Sequence, residues 1–382
     1  MPRERRYLGT SSRAGRCRSA RPSRSTFPVV GITTALLLLT FLGPSMTGSA
    51  SADDSAKGDR DGSKLPSETN AESPYEIIRQ VRLNLKENLQ KRSAITKQIE
   101  AAEAGDKEAK AFLLEFVVVP KNDAESKRLV DWLTKEIDAG NTAAMCRMGE
   151  LFQMGIAQPL DYVETMKWYK KAAAAGNTKG MSGVGWLHFN GMGVKADVDE
   201  AIRWYRQAAD LGGHEGLNNL GHVYRDGIGV EKDLDKAREL FERSAAQGNV
   251  WALDNLAQLY ALGEGVERDR AKAIEFYERA AVRLHPPSMM NLAGIYLGVP
   301  GQEPDHDRAI AWFQTAARAG ESEGLRQIAL MYAHGIGVDQ DDRQAAMLLH
   351  LAANAGNPDA PLDLAASFKN GRGVAPSIKK SD

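Results

Sequence analysis

Apolar positions in this chain recur first at helical spacing and then as a block. In residues 217–224 (LNNLGHVY), Leu217, Leu220 and Tyr224 fall on one side of a helix, with Val223 beside them. The same columns hold Met181, Val184 and Leu187 one block earlier, and Leu253, Leu256, Leu259 and Tyr260 one block later. Column 144, 180, 216, 252, 288, 324, 360 is always Ala, Gly or Ser, which lets a neighbouring helix approach closely. A glycine-rich corner follows, as in Gly227-Ile228-Gly229-Val230, and ends the first helix because glycine tolerates left-handed backbone. An aspartate then stands where a second helix begins, and aromatic pairs such as Trp168-Tyr169, Trp204-Tyr205, Phe276-Tyr277 and Trp312-Phe313 give that helix its buried side.

The block length is constant. Gly149, Gly185, Gly221, Ala257, Ala293, Ala329 and Ala365 step by 36 residues, and so do Asp161, Asp197, Asp233, Asp269, Asp305 and Asp341. Gly140, Gly176, Gly212, Gly248, Gly320 and Gly356 close the units, with Leu284 in the one place where the glycine is missing. A fixed period of this size marks units that bury their apolar faces only against their neighbours. The predicted fold class is all-α, an α/α right-handed superhelical solenoid of helix-turn-helix repeats. The six aspartates are expected to cap second helices, which is a structural task.

The array has atypical ends. Residues 105–140 read as a degenerate first repeat, with Ala109–Phe116 as its first helix and Trp132-Leu133 in the aromatic column. Residues 75–104 read as an N-terminal capping helix whose stripe is Ile78, Val81, Leu85 and Leu89, then Ile95 and Ile99. The stripe breaks at Lys91-Arg92-Ser93, which favours a cap over a dimerising coiled segment. Residues 141–356 are six full repeats, and 357–382 a C-terminal half-repeat cap and tail.

The first 52 residues differ in kind. Eight arginines and one acid precede the apolar run Val29–Leu42, which leads to the small-residue stretch Ala50-Ser51-Ala52. That order describes a signal peptide cut before Asp53. The run has 14 residues, against about 20 for a spanning helix, and an uncleaved anchor is the alternative reading. Residues 53–74 carry one large apolar residue, Leu65, and are expected to be a disordered linker. A chain starting at Asp53 holds 41 Lys+Arg against 49 Asp+Glu. That balance argues against a nucleic-acid partner, since phosphate neutralisation supplies most of such affinity.

Candidate chemistry is sparse. Cys17 lies in the presequence, which leaves Cys146 alone and no internal disulfide. No H-E-x-x-H, C-x-x-C, G-x-S-x-G or phosphate-binding loop occurs. The seven histidines do not share metal-ligand spacing on a helix face, and His188 occupies a tyrosine column. The expectation is no cofactor, no metal and no catalytic residue.

The pattern A-x-x-x-L-G-x-x-Y-x-x-G-x-G-V-x-x-D-x-x-x-A-x-x-W-Y-x-x-A-A-x-x-G resembles the Sel1-like repeat, a relative of the tetratricopeptide repeat. The resemblance implies a concave groove lined by first-helix residues on either side of the small central position. Carried over by column, these are Cys146, Glu150 and Gln153; Ser182, Trp186 and Phe189; Asn218, His222 and Arg225; Asp254 and Gln258; Met290 and Leu297; Arg326 and Leu330. Trp186 and Phe189 stand out as aromatic anchors. Exported bacterial members of such a family act as periplasmic regulators of sensor kinases, as exopolysaccharide assembly scaffolds or as secreted host-interaction factors. The implied function is a non-enzymatic scaffold or regulator in the periplasm or cell envelope that binds another protein or peptide. Two alternatives stand beside it: a secreted β-lactamase-like hydrolase, a reading that belongs to cysteine-rich relatives whose bridges this chain lacks, and a membrane-anchored organiser of an envelope or quality-control complex.

Overall fold

The computed structural model describes residues 82–83, 95–116, 118–298 and 303–369. The expected signal peptide and linker, most of the stretch 75–94, and the last corner at 371–374 lie outside the described residues. Among the described residues there are sixteen helices and no strand. α1 (Ile95–Glu103), α2 (Lys107–Glu115) and α3 (Asp123–Asp138) come first. Six hairpins follow: α4 (Thr142–Met154) with α5 (Tyr162–Ala174), α6 (Thr178–Asn190) with α7 (Val198–Asp210), α8 (His214–Asp226) with α9 (Leu234–Ala246). The row continues with α10 (Val250–Leu262) and α11 (Arg270–Val282), α12 (Pro286–Leu297) and α13 (His306–Arg318), α14 (Ser322–His334) and α15 (Asp342–Asn354). α16 (Ala360–Lys369) starts a seventh unit. Each first helix packs on the second helix of its own unit, which packs in turn on the next first helix. The result is an α/α solenoid.

Local chemistry sets each boundary. Every aspartate of the 36-residue series caps a second helix: Asp161 accepts from the backbone N–H of Val163 and Glu164, and Asp197, Asp233, Asp269 and Asp305 each accept from the residue three positions on. Asp341 accepts from Arg343 and Gln344. The backbone N–H of each aspartate also donates back to the tyrosine-column carbonyl of its first helix, as from Asp233 to Tyr224 at 2.9 Å, which closes the corner. Gly227 ends α8 at φ 67° and shows why the corner needs glycine. Two non-glycine residues hold that left-handed region among the described residues: Ala157 at φ 59° and Leu284 at φ 61°. Both sit in glycine columns.

Four of the first helices carry a capping asparagine of their own. Asn141, Asn177, Asn249 and Asn357 accept from N–H groups of the helix they precede. Their amides also reach across: Asn177 donates to Thr142 at 3.0 Å, Asn249 lies 3.1 Å from His214 Nδ1, and Asn357 donates to Glu323 at 2.9 Å. One side chain thus starts a helix and ties it to the preceding unit.

The core recurs along the array as a series of buried clusters. Tyr169, Tyr205, Phe241, Tyr277, Phe313 and Leu349 are all buried and form its central column. The rings of Tyr169, Tyr205 and Phe241 lie on the first helix of their own unit: a Cβ built on Gly221 would sit 2.5 Å from the Phe241 ring, so the close approach depends on glycine there. α1 and α3 close the N-terminal end, with Ile95, Ile99, Leu113, Leu129 and Leu133 in one cluster with Met148 and Leu151 of the first full unit. Residues 95–138 therefore contribute real core, worth roughly 1.5–3 kcal/mol for each large side chain buried.

Candidate partner-binding groove

The first helices lie side by side, and the columns expected to line the groove sit between them. Burial divides those residues. Cys146, Ser182, Asn218 and Asp254 are buried, between 1% and 7% exposed, and do not line an open surface. This corrects the sequence expectation for these four: they are buried at the seam between consecutive first helices, while Met290 and Arg326 of the same column are half-buried. Glu150, Gln153, Trp186, Phe189, His222, Arg225, Gln258, Met290, Leu297, Arg326 and Leu330 are half-buried along the same row.

Polar side chains in the seams are paired with one another. Between the first and second units, Glu150 bridges Lys179 at 2.6 Å and also holds Arg147, whose guanidinium reaches the Leu114 carbonyl at 2.8 Å. Between the third and fourth, the Asn255 amide nitrogen lies 3.0 Å from both Asn218 Oδ1 and His222 Nε2, while Arg225 donates to Asn255 Oδ1 at 3.3 Å. Between the fourth and fifth, Asp254 accepts from Ser288 at 2.6 Å, Gln258 at 2.6 Å and Asn291 at 3.2 Å. Arg326 donates to Asp363 at 2.6 Å and to Glu323 at 2.9 Å, joining the sixth unit to α16. A partial ladder of inter-unit hydrogen bonds and ion pairs thus joins units one and two, three and four, four and five, and six and α16.

The electrostatics follow from burial. Burial pushes His222 down to about 4, helped by the charge of Arg225 and opposed by Asp226 and Asp254. The imidazole is thus neutral and accepts from Asn255 through Nε2. Burial likewise raises the Cys146 thiol to about 12, and its sulfur lies 3.3 Å from Asn177 Oδ1. It is a packed hydrophobe, not a nucleophile at neutral pH.

One cluster has the composition of a hydrolytic triad: Asp254, Ser288 and His285, with His285 Nδ1 2.8 Å from Ser288 Oγ. Its order differs from that chemistry. The serine hydroxyl donates to Asp254, and the carboxylate grips the serine where a triad would have it orient the imidazole. All three are buried, at 0–5% exposure, and Trp251 packs edge-on against His285, 4.4 Å between centroids. The cluster is a strut. Among the described residues no group of His, Cys, Asp or Glu is arranged to hold a metal ion, and no helix is long and apolar enough to cross a membrane.

The aromatic anchors are only partly open. Trp186 packs against the buried cluster that includes Met166, Tyr169 and Leu187, and Phe189 against the one that includes Ile202, Tyr205 and Leu220. The asparagine struts at 141, 177, 249 and 357 were visible as Gly-Asn pairs at the repeat period, and belong beside the aspartates as fold-defining residues.

Residues 142–177, 178–213, 214–249, 252–281, 286–321 and 322–357 each match the Sel1 repeat, over more than half of the chain. The chain belongs to the Sel1 repeat family. Among solved structures, it is similar to a Sel1 repeat protein from Oxalobacter formigenes, at 31% identity and a TM-score of 0.52, over 61% of this chain and all of that one. It is also similar to c5321, a protective antigen of uropathogenic Escherichia coli strains with an SLR fold, at 28% identity and a TM-score of 0.48. That likeness covers 75% of this chain and 62% of the antigen. The immunity protein Pa5087 from Pseudomonas aeruginosa shows 17% identity and a TM-score of 0.44, over 57% and 83% of the two chains. Comparison with curated proteins finds no significant match. Sel1 repeat proteins are generally protein-interaction scaffolds, and the six units here give this chain that architecture.

Proposed function

We propose that this Sel1 repeat protein is a non-enzymatic scaffold of the bacterial periplasm or cell envelope that holds a partner protein along its row of first helices. One observation carries the reading: six successive Sel1 units present a row of first helices on which Trp186 and Phe189 are half-exposed. Partly exposed aromatics ringed by polar side chains are the usual anchors of an interface. The polar neighbours Gln153, His222, Arg225, Gln258 and Arg326 set register along the partner. Export rests on the signal-like residues 1–52, and a sensor kinase or an envelope-assembly protein is the class of partner that location supplies.

The test is site-specific photo-crosslinking in the producing cell. A crosslinking amino acid at Phe189 or Gln258 captures a defined envelope protein, whereas one at Lys170, an exposed position on a second helix, does not. Equal capture from both sites, or from neither, sinks the groove reading. N-terminal sequencing of the same material settles export: a chain that starts at Asp53 supports the periplasmic scaffold, and one that retains residues 29–42 supports the anchored organiser.

A further inference from the structure

The second helices of a solenoid expose their outer side, and units one to three do so here. Lys167, Lys170, Lys171 and Ala174 of α5 are exposed, as are Arg203, Arg206, Gln207 and Asp210 of α7 and Glu239, Glu242, Arg243 and Ala246 of α9. The fifth unit departs from this. Its equivalents Ala311, Gln314 and Arg318 are half-covered, and Thr315 is 0% exposed. The change reaches the fourth unit, where Glu278, Arg279 and Val282 are half-covered. It also shows one column over: Trp312 is 0% exposed, while its counterparts Trp168 and Trp204 are part-exposed. The side chains themselves differ, since Ala311, Gln314 and Thr315 replace long polar residues of units one to three, all charged but Gln207. This outer face is built to be covered.

The structure shows what touches it. Arg82 donates from Nε to Thr315 Oγ1 at 3.3 Å, across 233 residues of sequence. Burial, and then the charge of Arg318, lower its guanidinium to about 10. Leu83, the next residue, is 53% exposed. Sequence register accounts for that division: with Ile78, Val81, Leu85 and Leu89 as the apolar stripe, position 82 falls on the stripe and position 83 off it. Burial and the threonine contact hold Arg82 against this face.

We propose that the segment ahead of α1 that carries Arg82 docks in cis on the outer faces of α11 and α13, as a strap that ties the N-terminal cap to the fifth unit. In an array where each unit contacts only its neighbours, curvature is the sum of many small rotations. A strap between distant units fixes that sum and so presets the shape of the groove.

The experiment uses the full chain with Cys17→Ser, the buried Cys146 retained, and Arg82→Cys paired with Thr315→Cys. The side chains that meet are long, so a short bismaleimide replaces a disulfide, whose Cα spacing is limited to about 4.4–6.8 Å. At low protein concentration the pair is expected to link within one chain, identified as a joined 82–315 peptide. The control, Arg82→Cys with Lys171→Cys on the first unit, is expected to link at least about ten-fold less, a bias of about 1.4 kcal/mol. Equal linking of the two pairs, or no linking at 82–315, overturns the proposal. Links only between chains also overturn it, and make a second copy the occupant. A second variant, Thr315→Arg, installs the residue type found at Arg243 and Arg279. It is expected to raise tryptic cleavage between residues 79 and 92 by about ten-fold or more, the loss of about 1.4 kcal/mol of docking, with helical content unchanged. Unaltered cleavage kinetics would overturn the docking.

Discussion

Asp254 separates a groove that offers its polar residues to a partner from one that spends them on its own stack. The carboxylate is 5% exposed and accepts from Ser288, Gln258 and Asn291. In Asp254→Ala, Gln258 and Asn291 are half-buried and can turn to water, at a cost of a few tenths of a kcal/mol each to about 1. Ser288 cannot, because it is buried, and stranding its hydroxyl donor costs about 1–3 kcal/mol. The buried charge is relieved at the same time, but removing one partner of a buried polar group remains unfavourable. The sum is about 3 kcal/mol, and Asp254→Asn, which keeps one acceptor oxygen, should cost about 1.

The loss falls on the seam between α10 and α12, so a local probe reads it best. Repeat arrays open in pieces, and a single melting temperature averages over them. Hydrogen exchange of peptides from α10 and α12 should accelerate by about 100-fold in Asp254→Ala, the equivalent of 3 kcal/mol, while peptides from α4 and α6 stay within about two-fold. Unchanged exchange at α10 and α12, together with lost partner binding, would refute the reasoning and return Asp254 to an open groove.

Three further predictions concern single residues. His222 is held neutral by burial, with its pKa moved from 6.5 down to about 4, so its contribution is present above pH 6.5 and is lost as pH falls towards 4. His222→Gln, which installs the residue found at Gln258, should flatten that acid-side slope by about 3 kcal/mol in denaturant titrations at pH 7 and pH 4; an unaltered slope would place the titration elsewhere. Ala157→Gly should stabilise by about 0.5–1 kcal/mol by releasing a left-handed alanine at φ 59°, seen as a higher denaturant midpoint at constant m-value. Asp197→Ala removes the acceptor of the Glu200 N–H and should cost about 0.5–2 kcal/mol by the same measurement, with a midpoint unchanged from wild type counting against the cap.

Periodicity made the fold legible because the residues that define each unit act within about 36 positions of one another. Glycine needs its left-handed corner locally, and Asp197 caps a helix three residues away. Asn177 could have been read the same way, from the Gly-Asn pairs. The groove was less legible because exposure depends on the next unit. Asn218 and Trp186 occupy neighbouring columns with similar sequence signals, yet Asn218 turns into the seam and meets Asn255, while Trp186 stays half-open. The covered outer face of the fifth unit was hidden for a different reason: its contact joins Arg82 to Thr315 across the whole array, and no local pattern encodes such a pair. Only the loss of charge at Ala311, Gln314 and Thr315 hinted at it.

The same ladder limits how this protein can recognise anything. A partner that competes for Asp254, Asn255 or Glu150 must break inter-unit hydrogen bonds that hold the solenoid in shape, and each stranded buried group costs about 1–3 kcal/mol. For a partner on the proposed groove, affinity would then come from half-buried groups that can bind without leaving their places: Trp186, Phe189, Arg225, Gln258 and Arg326. Truncating a floor residue and truncating an edge residue should then differ in kind. Floor variants loosen the stack and weaken binding together, whereas edge variants such as Phe189→Ala should weaken capture with at most the packing loss of one half-buried ring. A partner that lost affinity equally to both sets, in proportion to stability, would show that it reads the curvature of the array and not its side chains.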